Sequence, residues 1–143
     1  MASSGPRAPV FAHLTLPTQH VEETTRFLEQ VLGYARKRVP ANSPVDVRWL
    51  DIGDGQELHV FFVEGFVVSP YESEFGRHVA LFHRIEDFPA MRQRIVDAGG
   101  ELVDALREAP FERVFFREPV NGYMLEVIDS ERHRQILAEQ ATV

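Results

Sequence analysis

The sequence predicts an α+β fold made of two βαβββ modules, whose curved mixed sheets surround one concave site. Strand-like alternation and helix-like spacing of apolar residues follow each other in the same order twice along the chain. Landmarks of the two halves also recur at offsets of 65, 66 and 67 residues, which indicates an internal repeat. These landmarks are a first-strand histidine, a helix-ending glycine and a last-strand polar residue: His13 and His78, Gly33 and Gly99, His59 and Glu126.

Composition limits the classes of function. A chain of 143 residues fits one domain, and its 44% hydrophobic content supports a packed core. The net charge of −7 and the lack of basic runs argue against nucleic acid and anionic membranes as partners. The absence of cysteine excludes disulfides and thiolate chemistry, and no apolar run reaches the roughly 18 residues of a membrane helix. We therefore expect a cytoplasmic protein.

The first module is predicted to span residues 10–64, after a disordered leader at residues 1–9. Its helix, Val21–Leu32, has apolar side chains at helical spacing and ends at Gly33. Residues 53–55 (Gly-Asp-Gly) form the hairpin turn before the last strand of the module. The predicted strands of this module are Val10–Pro17, Tyr34–Val39, Val45–Ile52 and Glu57–Val63.

A connector at residues 65–76, expected to be mobile, leads to the second module at residues 77–129. The helix of this module is predicted at Asp87–Ala98 and ends at Gly99. Residues 130–143 are predicted to form a helical tail. The predicted strands are Arg77–His83, Leu102–Arg107, Arg113–Arg117 and Tyr123–Asp129.

Four polar residues inside these strands share one face of the predicted sheets. Side chains alternate between the faces of a strand, and the residue that follows each of these four, on the other face, is apolar. A lone strand histidine is often a hydrogen-bonded core residue, but three imidazoles and a carboxylate on one concave face suit a divalent metal ion. Zn, Ni, Mn, Fe and Co all accept such ligands. The predicted metal ligands are His13, His59, His78 and Glu126.

Several segments together resemble the vicinal oxygen chelate superfamily, the glyoxalase, bleomycin-resistance and extradiol-dioxygenase group. They are FAHLTLP, FLEQVLGY, ELHVFFV, GRHVALFH, DAGG and EPVNGYMLEVID, and the resemblance covers Val10–Asp129. Family members typically carry an acidic-Pro-Asp-Gly turn before the last strand. In this chain the turn is Glu118-Pro119-Val120-Asn121-Gly122, so the usual aspartate is replaced.

The resemblance implies that His13, His78 and Glu126 are metal ligands and that His59 takes the remaining ligand position. Glyoxalase I has a glutamate at that position, and a histidine does not carry over as its carboxylate base. Members of the superfamily are often dimers, some with the metal site completed across the subunit interface. The resemblance thus implies a homodimer that binds a divalent metal ion and a small-molecule substrate, with the site either within one chain or across the interface.

The leading hypothesis is a glyoxalase-like metal-dependent lyase or isomerase that acts on vicinal oxygens through an enediolate. Glu126, the one carboxylate of the predicted ligand set, would be the catalytic proton shuttle. A single-domain extradiol-type Fe(II) dioxygenase is the alternative enzyme. A non-catalytic, ligand-sequestering protein, similar to the drug-binding members, is the third hypothesis. In that case a substrate pocket would be lined by Trp49, Phe61, Phe82 and Phe115.

Overall fold

The computed structural model describes residues 8–141 and contains two βαβββ modules, as the sequence predicts. Most of the expected leader, residues 1–7, and the last two residues of the tail, 142–143, lie outside the described residues. A 3₁₀ turn, Ile85–Asp87, precedes the second helix. The elements are β1 (His13–Thr18), α1 (Val21–Leu32), β2 (Ala35–Lys37), β3 (Val47–Gly53), β4 (Gln56–Phe62), β5 (Val79–His83), α2 (Phe88–Asp97), β6 (Glu101–Val103), β7 (Arg113–Arg117), β8 (Met124–Asp129) and α3 (Ser130–Ala141).

The two sheets have the same strand order, which confirms the internal repeat. The orders are β1-β4-β3-β2 and β5-β8-β7-β6. In each sheet the first and last strands of the module pair in parallel, and the other neighbours are antiparallel. Each sheet is therefore mixed and open. β1 and β5 lie at sheet edges, so each has one side that pairs with no other strand among the described residues.

Local sequence explains the helix ends. α1 has the predicted bounds, and Gly33 ends it with a positive φ of 73° while its N–H donates to the carbonyl oxygen of Glu29.

β6 is shorter than the predicted strand Leu102–Arg107. The reason is a contact between residues distant in sequence, because the backbone N–H groups of Leu106 and Arg107 donate to the side chain of Glu74 instead of to a neighbouring strand.

One hydrophobic core contains the inner faces of both sheets and of both helices. The rings of Phe27 on α1 and Phe116 on β7 lie 6.1 Å apart, so the two modules pack directly against each other. In β4 and β8 the core side chains alternate with the polar residues predicted as ligands, which confirms the expected division of the strand faces. The core side chains of these two strands are Leu58, Val60, Leu125 and Val127.

The connector is hydrogen-bonded to the second sheet, and its expected mobility stays a prediction. The Glu72 carboxylate accepts hydrogen bonds from the Met124 backbone N–H at 2.8 Å and from the Arg77 guanidinium at 2.7 Å. The Arg117 guanidinium donates to the Glu72 carbonyl oxygen at 2.9 Å. The connector is therefore joined to the ends of β7 and β8, and its Phe66 and Val68 pack against the hydrophobic core.

Within residues 8–141, no helix combines the length and the apolar character needed to cross a membrane.

A buried polar cluster joins the two modules. Asn121, in the turn before β8, accepts a hydrogen bond from the Thr18 hydroxyl at 2.6 Å and donates to the Thr24 hydroxyl at 2.9 Å. The Tyr123 hydroxyl donates to the Pro17 carbonyl oxygen at 2.6 Å. The side-chain amide of Asn121 thus donates and accepts at once, which an ionised aspartate at this position does not do.

We predict that Asn121→Ala lowers the free energy of unfolding by about 1–3 kcal/mol, because it removes both hydrogen bonds to the buried hydroxyls of Thr18 and Thr24. Urea denaturation followed by circular dichroism measures the change. Asn42→Ala, at an exposed turn position, is the control. Equal unfolding midpoints for the two variants would contradict a bridging role of Asn121.

Candidate metal centre

The structure brings the four predicted ligands together as two pairs. His13 and His59 belong to the first sheet, and their ring centroids lie 4.0 Å apart. His78 and Glu126 belong to the second module, with His78 Nε2 at 3.2 Å from Glu126 Oε1. Among the described residues, one chain does not gather three or more His, Asp or Glu side chains in a metal-binding group. One chain therefore presents the predicted ligands as two separate pairs, here termed candidate half-sites.

The second-module pair has the chemistry of a metal half-site. His78, immediately before β5, has its Nδ1 at 3.1 Å from the carbonyl oxygen of Ser73. A carbonyl oxygen only accepts hydrogen bonds, so Nδ1 carries the proton, and Nε2 of the neutral ring carries a lone pair. That lone pair faces a carboxylate oxygen of Glu126, which is also an acceptor.

Two acceptors at this separation repel each other unless a ring proton or a bound cation lies between them. Metal-ligating histidines usually donate their other ring N–H to a backbone carbonyl or a carboxylate, as His78 does to Ser73. The nitrogen and oxygen atoms of the pair are also ligands that divalent transition metals accept. The residues present therefore fit a metal ion.

The other oxygen of Glu126 is held by an arginine. Glu126 is 5% exposed, and its Oε2 accepts from Nη1 of Arg113 at 3.2 Å. The Arg113 guanidinium also lies over the ring of Phe115, 5.0 Å from its centroid. The carboxylate is thus anchored on one side and faces His78 on the other.

The first-module pair is a stack of aromatic rings. His59 lies between the imidazole of His13 and the indole of Trp49, at centroid distances of 4.0 and 4.3 Å and interplanar angles of 13° and 3°. An imidazole lone pair lies in the plane of its ring, and a bound metal lies about 2.0–2.1 Å from the nitrogen. Nearly parallel stacked rings do not direct two lone pairs at one ion. In this arrangement His13 and His59 do not share a metal, and a ligand role for His59 stays a prediction.

A carboxylate that the sequence reasoning missed holds the His59 ring. Nε2 of His59 lies 2.9 Å from Oε1 of Glu57, and Glu57 also forms an ion pair with Lys37. Lys37, and then His59, hold the pKa of Glu57 below its usual range. Glu57 lies two residues before His59, and residues two apart in a strand share one face. The sequence alone was therefore sufficient to place Glu57 beside His59.

Three of the four predicted pocket aromatics lie beside the predicted ligands. Trp49 stacks on His59, Phe61 lies edge-on to His59 at 6.1 Å, and Phe115 lies edge-on to His78 at 5.6 Å. Phe82 is 60% exposed and instead packs against the ring of His133 at 4.9 Å. These three aromatic residues are therefore divided between the two pairs of predicted ligands, and they do not line a single pocket.

A groove of about 520 Å³ runs along the free edge of the second sheet. Residues 78–82, which include His78 and most of β5, form one wall, and Phe11, Tyr34 and Ile52 of the first module contribute to the other. The groove is mainly apolar and lies next to a candidate metal ligand.

Residues 10–127 match the model of the Glyoxalase/Bleomycin resistance protein/Dioxygenase superfamily, and the chain belongs to this superfamily. No curated protein sequence matches the chain. Solved structures with the same fold include fosfomycin resistance proteins called FosX. The protein from Listeria monocytogenes, in a monoclinic crystal at pH 6.5, has a TM-score of 0.69 and 16% identity, covering 94% of this chain and 99% of that one.

FosX from Mesorhizobium loti has a TM-score of 0.66 and 18% identity, with coverage of 91% and 98%. A substituted form of the Listeria monocytogenes protein was solved in complex with Mn(II) and 1S,2S-dihydroxypropylphosphonic acid. Its TM-score is 0.68, its identity 16%, and the coverage 94% and 99%. At these identities the likeness shows the fold, two mixed four-stranded sheets with helices.

We predict that the neutral ring of His78 carries its proton on Nδ1, because the Ser73 carbonyl oxygen accepts from that atom. Long-range ¹H–¹⁵N correlation spectra of the metal-free protein report the tautomer, and His78→Gln identifies the signal. Addition of Zn²⁺ should then shift the Nε2 resonance of His78. A proton on Nε2 that persists in the presence of Zn²⁺ would contradict a ligand role for this residue.

Proposed function

We propose that this protein is a metal-dependent enzyme that holds a divalent ion through His13, His78 and Glu126. The observation that carries the proposal is the contact between His78 Nε2 and Glu126 Oε1 at 3.2 Å, which places a nitrogen and an oxygen ligand of divalent metals side by side. A bound divalent ion would polarise two adjacent oxygens of a small substrate. Mn(II) in the FosX complex supports a divalent metal, and Zn, Ni, Fe and Co remain chemically suitable.

In this proposal a second copy of the chain completes each site. Each half-site lies on the face of its own sheet that is turned away from the shared core, so a second protomer can bring a first-module pair to a second-module pair. The edge strands β1 and β5 each offer backbone groups for pairing. Phe11 and Phe82, which are 53% and 60% exposed, line the groove along β5 and would be covered by a partner.

The reaction we propose is of the lyase or isomerase type, with proton transfer next to a polarised carbonyl. Glu126 is the carboxylate of the proposed ligand set, and we assign the proton-shuttle role to it. Phe115 and Met124, both buried beside it, would limit access of water to the carboxylate. The Trp49–His59–His13 stack would hold the imidazole of His13 in a fixed orientation.

A second candidate function is hydrolysis of a small epoxide such as fosfomycin. It is favoured by the FosX structure that holds Mn(II) together with a phosphonic acid bearing two adjacent hydroxyl groups. Both candidate reactions use a metal ion and a substrate with neighbouring oxygens, so one set of metal-loaded samples tests both.

We predict that mixing His13→Ala and His78→Ala chains restores metal binding that each variant alone lacks. If the ligands come from two protomers, a mixed dimer has one intact site and one doubly altered site. Random exchange of subunits then restores about a quarter of the wild-type metal content. Refolding the two variants together and measuring bound Zn²⁺ by elemental analysis gives this fraction.

No restored metal, with each variant folded and the wild type loaded, would contradict a shared site and place the ligands within one chain. The control is a mixture of His13→Ala chains with chains that carry both His13→Ala and Glu57→Gln. Every chain in that mixture lacks the same ligand, so the bound metal should stay at the level of the single variant.

We predict that Glu126→Gln lowers turnover by about 10²–10⁴-fold for any substrate that the metal-loaded wild type converts, because an amide cannot accept the proton. The assay uses Mn²⁺-, Zn²⁺-, Ni²⁺- and Fe²⁺-loaded protein with thiol adducts of α-oxo aldehydes and with fosfomycin. Glu64→Gln, at an exposed position, is the control. Unchanged turnover in metal-loaded Glu126→Gln would exclude the proton-shuttle role.

A further inference from the structure

We infer that Arg113 and Glu74 are positioning residues that fix which oxygen of Glu126 faces the metal. The inference rests on the proposed function and assigns a role to two residues outside the ligand set. Arg113 starts β7, the strand that pairs with β8, and its side chain is 6% exposed.

The buried guanidinium of Arg113 lies between two carboxylates. Nη1 donates to Glu126 Oε2 at 3.2 Å, and Nη2 is 3.6 Å from Glu74 Oε2. Nη2 also donates to the carbonyl oxygen of Arg107. A guanidinium has a rigid, planar set of donors, so these partners together determine its orientation. Arg113 therefore cannot turn away from Glu126 without breaking the other contacts.

Glu74 is itself fixed. Its two oxygens accept the backbone N–H groups of Leu106 and Arg107 at 2.8 and 2.9 Å. Burial favours the neutral acid, but these two N–H groups and the charges of Arg113 and Arg107 outweigh it and hold the pKa of Glu74 below its usual value. The connector thus presents a constant negative charge to Arg113.

Two adjacent residues of the connector consequently orient both second-module ligands. Ser73 accepts from Nδ1 of His78 and turns Nε2 of that ring toward Glu126. Glu74 holds Arg113, which holds Oε2 of Glu126 and leaves Oε1 directed at His78. The arrangement favours a carboxylate that binds an ion through Oε1 alone.

An ion pair that served stability alone would change the free energy of unfolding but not the metal environment. We therefore propose to measure Mn²⁺ affinity by electron paramagnetic resonance and the visible absorption of Co²⁺-loaded protein, for Arg113→Gln, Arg113→Lys and Glu74→Gln. Arg113→Gln should bind Mn²⁺ about 10–100-fold more weakly and alter the Co²⁺ spectrum. Arg113→Lys keeps one charged donor and should recover part of the loss.

Arg117→Gln is the matched control, since Arg117 lies on the same face of β7 and contacts the connector at the Glu72 carbonyl oxygen. It should leave Mn²⁺ affinity and the Co²⁺ spectrum at wild-type values. If Arg113→Gln fails to fold, Glu74→Gln decides the question, because it leaves Arg113 in place and removes the charge that fixes it, together with one of the two acceptors for the Leu106 and Arg107 N–H groups.

Wild-type affinity and an unchanged Co²⁺ spectrum in the folded Arg113 and Glu74 variants would overturn the inference and leave the proposed function intact. A wild-type protein that binds neither Mn²⁺ nor Co²⁺ would instead overturn the proposed function. The two failures are therefore distinguishable in one set of measurements.

Discussion

Both modules share one hydrophobic core, and this determines which side chains of the two sheets are left facing outward. Apolar side chains of the two sheets face the same pair of helices, so the polar side chains that alternate with them face away. The internal repeat of the sequence is therefore also a repeat of the three-dimensional structure. It also separates the predicted ligands into two pairs, His13 with His59 and His78 with Glu126. The proposed second copy follows from this separation.

Within each half-site, the contacts around the ligands limit their chemistry. The Ser73 carbonyl oxygen contacts Nδ1 of His78, and Nε2 of that ring is directed at Glu126. Parallel stacking takes the His59 ring out of reach of an ion bound in the plane of His13. The proposed metal site therefore consists of two imidazoles and one carboxylate and leaves out His59. An ion held in this way would keep part of its coordination open for substrate oxygens.

The sequence was sufficient for the module order, the bounds of α1 and the division of the strand faces, because these depend on local periodicity and on Gly33. It was not sufficient for the connector, since the hydrogen bond from Met124 to Glu72 joins residues 52 positions apart. β6 is short for a similar long-range reason, because Glu74 accepts the backbone N–H groups that a longer strand would use. Face parity places His59 on the side of the ligands but contains no information on ring stacking.

Anomalous diffraction from crystals of the Mn²⁺-loaded protein tests the shared metal site most directly. We expect one peak per chain, in contact with Nε2 of His78, Oε1 of Glu126 and the imidazole of His13 of the partner subunit, with His59 still stacked on Trp49. A peak bound by His13 and His59 of the same chain would contradict it. So would a fully loaded crystal in which His78 and Glu126 remain in contact only with each other.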